Sequence, residues 1–269
     1  MNPWAVNPAW QNFSSLFREA SSARDAKTGM ERSHHLTASL YFGIAALEAL
    51  LNEKMRAHLK TTKTDGEILN VLRKGDIVRK LKKWPTEILG NPLSLSDGTL
   101  ELLTDFNTIR ADLTHPKTQG HDIYAKLESI DPSSVVDVVA EYIVKYHEAA
   151  GTLYPYWIFG WNYLNPRPDS YEIFIINEQQ FSFSLQAIGF EVPASAHAQA
   201  EAWRSNHLGH FEGYVEIRDA LRGIDRCEPK LDRFPFKPVL CRQWWMSDHH
   251  RSCGHVTTEA LNHALSHDV

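Results

Sequence analysis

The chain has 269 residues, of which 43% are hydrophobic and 23% are charged, and its formal net charge is -5. This composition is typical of a globular protein and supplies enough apolar residues for one large core or two smaller ones. The acidic balance excludes a protein that coats nucleic acid with its whole surface, so any nucleic-acid contact requires a local basic patch. No run approaches the roughly 18 apolar residues that a membrane span requires.

The N-terminal sequence and the cysteines bear on the cellular compartment. The start, MNPWAVNPAWQNF, has no basic segment followed by an apolar one, so we expect no secretory signal. Cys227, Cys241 and Cys253 are an odd and low count for this length, which favours a reducing compartment over a disulfide framework. We therefore expect a cytoplasmic protein without membrane contact.

The first half of the chain carries apolar residues at helical spacing. Intervals of three and four predict helices over 36–59, 66–84, 99–115 and 134–149. The second should break near Gly75 and stop at Pro85, and a capping-box pattern at Ser134 and Asp137 predicts the start of the fourth. The residues expected to face the core are Leu36, Leu40, Ile44, Leu47, Leu51, Met55 and Leu59, then Leu102, Phe106, Ile109 and Leu113, then Val135, Val138, Val139, Tyr142 and Tyr146. Antiparallel packing of these helices would form a bundle over 1–150.

The composition shifts near Gly151, where an aromatic and proline-rich linker begins. Residues 171–186, YEIFIINEQQFSFSLQ, end in an alternation of apolar and polar residues that predicts a two-stranded hairpin. Residues 195–222 predict one helix, followed by an irregular tail from 226; the inward residues expected in this helix are Leu208, Phe211, Val215 and Leu221. The predicted fold is thus mainly α, a helical bundle with a smaller C-terminal α+β extension over 151–269.

The segment NTIRADLTHPK, residues 107–117, places Arg110 five positions before His115. Pro116 disfavours helical geometry at the residue before it, so the helix should end near His115. Side chains five positions apart differ by about 140° around a helix, so the pair can share a pocket only if the last turn unwinds. One interpretation is a structural helix end with a histidine near the negative end of the helix dipole. The other is a catalytic pair.

Two segments together resemble the HEPN superfamily of helical domains, over roughly residues 30–150. They are ASLYFGIAALEALLNEKMR, residues 38–56, and LLTDFNTIRADLTHP, residues 102–116. The signature of that superfamily is an arginine followed four to six residues later by a histidine, here Arg110 and His115. The resemblance implies an antiparallel helical bundle and metal-independent RNA cleavage at a homodimer interface, to which each protomer contributes its arginine and histidine.

The implied chemistry suits these two residue types. His115 would move the proton of a ribose 2′-hydroxyl, because an imidazole titrates near neutral pH. The alkoxide would attack the adjacent phosphorus while Arg110 holds the non-bridging oxygens, which leaves a 2′,3′-cyclic phosphate. No metal or cofactor is required. The resemblance further implies a toxin or defence effector, restrained by an antitoxin or a regulatory protein.

The segment departs from the family pattern at two positions. Many active members carry a polar residue directly after the arginine; here that position is Ala111, and Asp112 is the nearest polar candidate for a catalytic role. Some toxins of the family carry a tyrosine two residues after the histidine, where a partner nucleotidyltransferase modifies it. Lys117 stands there and is a candidate for RNA binding. Ala111 favours an alternative function, a non-catalytic module that binds RNA or a partner.

Glu48 lies beside the apolar stripe of the first predicted helix. A carboxylate at a bundle core needs a partner, and Arg110 is the candidate, in which case Glu48 would orient the catalytic arginine. The alternative is a boundary residue that reaches water, because charged residues are rarely fully buried.

The segment RKGDIVRKLKKW, residues 73–84, is densely cationic and ends in Trp84. The basic side chains could hold RNA phosphates while Trp84 stacks on a base. The candidates for RNA binding in this segment are Arg79, Lys80, Lys82 and Lys83. The alternative is an ordinary solvated helix face.

The C-terminal tail concentrates potential zinc ligands: Cys227, Cys241, Cys253, His249, His250 and His255, which His207 and His210 could extend. A zinc-stabilised interaction protein is therefore a third candidate. No Cys-x-x-Cys pair is present, and buried thiols with surface histidines explain the same residues, so we predict no metal site.

Overall fold

In the computed structural model the described residues are 7–114, 122–159, 185, 190–193 and 197–225, and they are mainly helical, with no strand among them. The chain divides into two compact units, Met1–Thr152 and Leu153–Val269. The helices of the first unit are α1 (Pro8–Asp25), α2 (Gly29–Leu59), α3 (Asp65–Arg73), α4 (Ile77–Leu89), α5 (Thr99–Thr114), α6 (Asp122–Glu128) and α7 (Pro132–Ala149). Searched over the described residues, no helix has both the length and the apolar character needed to cross a membrane.

Helix α2 is the centre of the first unit and contacts each of the other helices described there. Its 31 residues make it about 46 Å long at 1.5 Å per residue. All seven side chains predicted to face inward in this helix are buried, which confirms the pattern over 36–59. The helix begins earlier than predicted, because the Thr28 hydroxyl caps it by accepting the backbone N–H of Glu31.

Helix α1 was not foreseen, although its sequence carries ordinary helix signals. Asn7 caps it by accepting the backbone N–H groups of Ala9 and Trp10, and Pro8 occupies its first turn. The buried residues of α1 fall at helical spacing and include Ala9, Phe13, Leu16, Ala20 and Ala23. This apolar face packs on α2 and α7 and forms a large part of the core.

The break predicted near Gly75 is present, but the predicted stop at Pro85 is wrong. Helix α4 runs through Pro85 and ends at Gly90, whose φ of 83° is left-handed. A proline inside a helix leaves the carbonyl four residues earlier without its helical donor. Here that carbonyl belongs to Leu81, and it accepts the hydroxyl of Tyr142 from α7 at 2.9 Å. A tertiary hydrogen bond therefore replaces the missing helical one.

Helix α7 confirms its five predicted core positions, but it begins at Pro132 instead of Ser134. Asp131 is the capping residue and accepts the backbone N–H of Ser133, so the predicted capping box at Ser134 and Asp137 is wrong. Proline at the first helical position favours this earlier start, because its fixed φ already suits a helix.

Helix α5 buries Phe106 and Ile109 as predicted, but Leu102 is exposed and Leu103 is buried in its place. Leu113 is half-buried. The start of this helix is held by Glu141 of α7, whose carboxylate accepts the backbone N–H of Ser96 at 2.6 Å and the hydroxyl of Thr99 at 2.9 Å. This buried carboxylate fixes the position of α5, which carries Arg110 near its other end.

The described part of the second unit contains a 3-10 turn (Tyr156–Phe159) and two helices, α8 (His197–Leu208) and α9 (Phe211–Asp225). The helical prediction over 195–222 is confirmed for most of its length, but the chain turns at Gly209 and divides the helix in two. An added Cβ at Gly209 would lie 2.4 Å from the Ser205 carbonyl oxygen. The turn changes the helical phase, so the buried residues of α9 include Tyr214 and Ile217. The predicted inward residues Phe211 and Val215 are half-buried, Leu208 is buried, and the side chain of Leu221 lies outside the described residues.

The hairpin predicted over 171–186 lies outside the described residues, apart from Leu185. The tail from 226 also lies outside them. Within the second unit, the backbone N–H of Tyr154 donates to Leu208 at 2.8 Å and its hydroxyl donates to the carbonyl of His207. The rings of Tyr154 and Phe159 pack against Tyr214.

Candidate active site

Arg110 lies on the last described turn of α5 and is half-buried. Its guanidinium carbon is 5.8 Å from the ring centroid of Tyr41 on α2, within cation–π range. Among the described residues, no carboxylate forms an ion pair with this guanidinium. The Tyr41 ring thus contacts the guanidinium of Arg110, and no carboxylate among the described residues neutralises its charge.

Tyr41 was not singled out from the sequence, yet it fixes the end of α5. Its hydroxyl contacts the hydroxyl of Thr114 and lies 3.5 Å from the carbonyl oxygen of Arg110. Thr114 donates its own hydroxyl to the same carbonyl at 3.0 Å. The sequence signal for this role was weak, because Tyr41 stands next to the apolar stripe of α2. In the structure Tyr41 is 37% exposed.

Asn107 lies three residues before Arg110 and therefore on the same side of α5. Its side-chain oxygen is buried and has no hydrogen-bond partner among the described residues. Buried polar atoms are almost always satisfied, so this oxygen is an exception among the described residues. The end of α5 therefore carries two polar side chains, Asn107 and Arg110, that the described part of the chain does not satisfy.

The remaining residues of the predicted signature are only partly described. Asp112 is half-buried on α5. His115 and Lys117 lie outside the described residues, as does the helix end predicted at His115. The structure therefore shows where Arg110 stands, and His115 follows in the sequence directly after Thr114.

Glu48 has a different partner from the predicted one. Its carboxylate accepts the ammonium of Lys80 on α4 at 2.6 Å, and the same ammonium lies 3.3 Å from the side-chain oxygen of Asn52. The Lys80 side chain is 3% exposed, whereas that of Glu48 is 40% exposed. The expected pair between Glu48 and Arg110 is corrected, because α4 supplies the closer cation.

The cationic segment divides into an inner and an outer face of α4. Lys80 and Trp84 are buried, and the Lys80 ammonium lies 5.0 Å from the Trp84 ring centroid. The expectation that Lys80 holds phosphate and that Trp84 stacks on a base is therefore corrected, because both side chains are enclosed. Arg79, Lys82 and Lys83 are exposed, as the RNA-binding prediction requires.

The cysteines and histidines of the predicted zinc cluster lie outside the described residues, except His207 and His210. His207 stacks on Trp203 at 4.3 Å between ring centroids, and its Nε2 lies 3.5 Å from Glu216. Over the part of the chain that the structure describes, no group of histidine, cysteine and carboxylate side chains is arranged to hold a metal ion. His207 is thus a packed helix residue in the second unit.

Comparison with known proteins gives no match. No family model, no curated protein and no solved structure is similar to this chain by sequence or by fold at a significant level. Assignment of a function therefore rests on the residues of this chain and on their geometry.

The geometry at the end of α5 suits the binding of an oxyanion. An arginine fork is always charged and presents its N–H donors in the plane that matches a phosphate. Arg110 lacks a carboxylate partner among the described residues, so an external oxyanion can bind it without displacing an internal ion pair.

Proposed function

We propose that the chain is a metal-independent endoribonuclease of the HEPN type, in which Arg110 and His115 act on one phosphodiester. The single observation that carries the proposal is the position of Arg110. Its guanidinium lies over the ring of Tyr41 and has no carboxylate partner among the described residues. Arg110 is one helical turn before Thr114, the last residue of α5, and His115 follows Thr114 in the sequence. The resemblance of the Arg110–His115 segment to the HEPN signature supplies the reaction type.

The proposed reaction begins at the ribose 2′-hydroxyl. His115 takes its proton, the 2′-oxygen attacks the adjacent phosphorus, and the bond from phosphorus to the 5′-oxygen breaks. The departing 5′-oxygen receives a proton from a protonated imidazole, for which a second His115 in a homodimer is available. Arg110 stabilises the charge that builds on the non-bridging oxygens. The products are a 2′,3′-cyclic phosphate and a 5′-hydroxyl.

Within this proposal Glu48 is not a catalytic residue, because its carboxylate is bound to Lys80. Asp112 keeps its candidate role beside the signature.

The test is cleavage of total tRNA and messenger RNA in excess EDTA, with wild type and His115→Ala side by side. We expect cleavage by the wild type alone, with cyclic phosphate ends and a rate loss of about 10²-fold or more in the variant, as for removal of a general base. Circular dichroism and urea unfolding must show that the variant folds. Cleavage that persists in His115→Ala would refute the proposal.

We extend the proposal to a toxin or defence effector acting as a homodimer. Induced expression of the wild type should then arrest growth, and His115→Ala should not. Sedimentation equilibrium should give twice the monomer mass. A monomer, or arrest by both proteins, would contradict this extension.

A second candidate function is RNA binding without turnover. Ala111 after the arginine and the exposed cations of α4 favour it. Tight RNA binding by the wild type with no cleavage under any ionic condition would support this candidate over the nuclease.

A further inference from the structure

The end of α3 and the first half of α4 form a cationic segment. Residues 73–89 contain six basic residues and two acidic ones, although the whole chain carries a net charge of -5. Five of the six are exposed: Arg73 and Lys74 at the end of α3, and Arg79, Lys82 and Lys83 on α4. We call these five the α4 cationic face. Arg79, Lys82 and Lys83 are spaced at i, i+3 and i+4, so they neighbour one another on the helix surface.

The α4 cationic face is not neutralised from within the described residues. None of its five cations forms an ion pair there. Cations elsewhere on the surface do, as in the pairs of Lys54 with Glu53 and of Arg56 with Asp65. Of the two carboxylates in the segment, Asp76 accepts the backbone N–H of Arg79 at 2.8 Å as the helix cap.

The inner side of α4 fixes which side chains face outward. Lys80 is held by Glu48 and Asn52, and Trp84 is buried beneath its ammonium. This arrangement prevents α4 from rotating to expose Trp84. The α4 cationic face therefore offers charges for phosphates, and Trp84 is not available to stack on a base.

Helices α4 and α5 contact the same side of α2 and contact each other. Tyr41 and Glu48 are seven residues apart in that helix, which places them on one face about 10 Å apart. Arg110 contacts the first of these residues and Lys80 contacts the second. Helices α4 and α5, which carry the α4 cationic face and Arg110, are thus neighbours on α2.

We propose that the α4 cationic face binds the phosphate backbone of single-stranded RNA without reading its bases, and delivers the strand to Arg110. The choice of RNA among polyanions rests on the proposed function. The charge pattern and the burial of Trp84 determine the mode of binding. Binding should therefore depend strongly on salt and little on sequence.

The experiment measures binding of fluorescein-labelled 2′-O-methyl RNA to the full chain by fluorescence anisotropy, over about 50 to 200 mM salt. This RNA cannot be cleaved by attack of its 2′-oxygen, so binding is separated from turnover. The test variant, called the face triple, is Arg79→Gln, Lys82→Gln and Lys83→Gln. The control triple is Lys27→Gln, Lys60→Gln and Lys126→Gln, which removes the same charge from exposed positions elsewhere.

We expect the face triple to bind about tenfold or more weakly at low salt, and the slope of log K against log salt to fall by about 2, since each phosphate contact contributes about 0.7. The control triple should lose less than about threefold, and sequences of different composition should bind alike. If the face triple is unstable because Arg79 packs on Gly75, the double variant Lys82→Gln and Lys83→Gln replaces it.

Equal losses in both triples would overturn the proposal, since they would reflect net charge alone. Unchanged binding by the face triple would also overturn it. Competition by polyglutamate as effective as that of RNA at equal charge would assign the surface to an acidic protein instead.

The outcome is separable from that of the proposed nuclease. If the wild type binds RNA through the α4 cationic face but cleaves no unmodified RNA, the proposed nuclease activity is refuted and the proposed binding surface is retained. Cleavage that requires His115 but proceeds unchanged in the face triple, with unchanged binding, would keep the nuclease and refute the face.

Discussion

Two basic side chains contact the same face of α2, and their surroundings differ. Lys80 is buried and its ammonium lies 2.6 Å from the carboxylate of Glu48. Arg110 is half-buried, lies over the ring of Tyr41, and has no carboxylate partner among the described residues. A carboxylate neutralises the cation and makes it part of the packing. An aromatic ring supports the cation and leaves its charge and its donors for an external anion.

The largest effect should fall on RNA cleavage at Arg110. Arg110→Gln should lower the cleavage rate by about 10² to 10³-fold, the usual cost of removing one donor to developing negative charge. Arg110→Lys should recover only part of this, because it keeps the charge and loses the planar fork. Urea unfolding should change by less than about 1 kcal/mol for both variants, since no internal ion pair is lost. If Arg110→Gln cleaves RNA at the wild-type rate, Arg110 is not part of the active site.

The next largest effect should fall on stability at Glu48 and Lys80. Glu48→Gln leaves a buried ammonium without its carboxylate and should lower the free energy of unfolding by about 3 kcal/mol. Lys80→Met should cost less, because the side chain of Glu48 is 40% exposed and regains water. The double variant should recover part of the loss, which a double-mutant cycle in urea measures directly.

The control for that cycle is the exposed pair of Glu53 and Lys54 on the same helix. Its coupling energy should be about 0 to 1 kcal/mol. Equal coupling in the two pairs would show that burial of Lys80 is not what distinguishes it.

A variant at Gly43, on another face of α2, should change stability without touching Arg110 or Lys80. An alanine Cβ at Gly43 would lie 3.1 Å from Cγ2 of Val139, which is buried and stiff. Gly43→Ala should therefore lower the free energy of unfolding by about 1 to 2 kcal/mol despite its better helix propensity. Gly66→Ala, with nothing within 4 Å of its Cβ, should raise it by up to about 1 kcal/mol. Calorimetry that gives the two variants shifts of the same sign would contradict this packing.

Tyr41 should give a smaller and divided effect. Tyr41→Phe keeps the ring under Arg110 and removes the hydroxyl at Thr114, so stability should fall by about 1 kcal/mol. We expect the cleavage rate to fall by only about tenfold or less, because the lost hydrogen bond to Thr114 at the end of α5 is worth about 1 kcal/mol. Tyr41→Leu, which also removes the ring, should be slower than Tyr41→Phe. If both variants cleave equally, the ring does not position Arg110.

At neutral pH the smallest effect concerns His147, which lies on α7 outside the candidate site and acts only as the pH falls. Burial, with a smaller contribution from the Lys54 charge, lowers the pKa of His147 to about 4. The unfolded chain, with a pKa near 6.5, then binds the proton more readily than the folded one. His147 therefore leaves stability intact above about pH 6.5 and lowers it by at most about 1.4 kcal/mol per unit as pH falls toward 4.

His147→Gln should flatten the acid decline in urea titrations between these two pH values. A decline of unchanged slope in that variant would assign it to other groups. Cleavage profiles measured above pH 6.5 are then free of this structural contribution.

The helices with long apolar stripes could be predicted from the sequence, because periodicity reports which face is buried. That worked for α2 and α7 and, with Leu103 in place of Leu102, for α5. The spacing of Phe13 and Leu16 is a sufficient signal for α1 as well. The continuation of α4 through Pro85 was not predictable, because it depends on the Tyr142 hydroxyl from a distant helix.

The candidate site shows the same division. The sequence indicated Arg110 and the exposed cations of α4, since type and spacing alone select them. The predicted partner of Glu48 and the predicted exposure of Trp84 were wrong. Both depend on how α2 and α4 are aligned against each other, which the spacing of residues within one helix does not reveal. Tyr41 was missed because a tyrosine beside an apolar stripe looks like ordinary packing.

The most direct test compares RNA cleavage in excess EDTA by wild type, by Arg110→Gln and by the double variant Glu48→Gln and Lys80→Met, all at a temperature where each is folded. We predict that the wild type and the double variant cleave at similar rates and that Arg110→Gln cleaves about 10² to 10³-fold more slowly. Similar losses in Arg110→Gln and in the double variant, or no cleavage by the wild type, would contradict the distinction between the two cations.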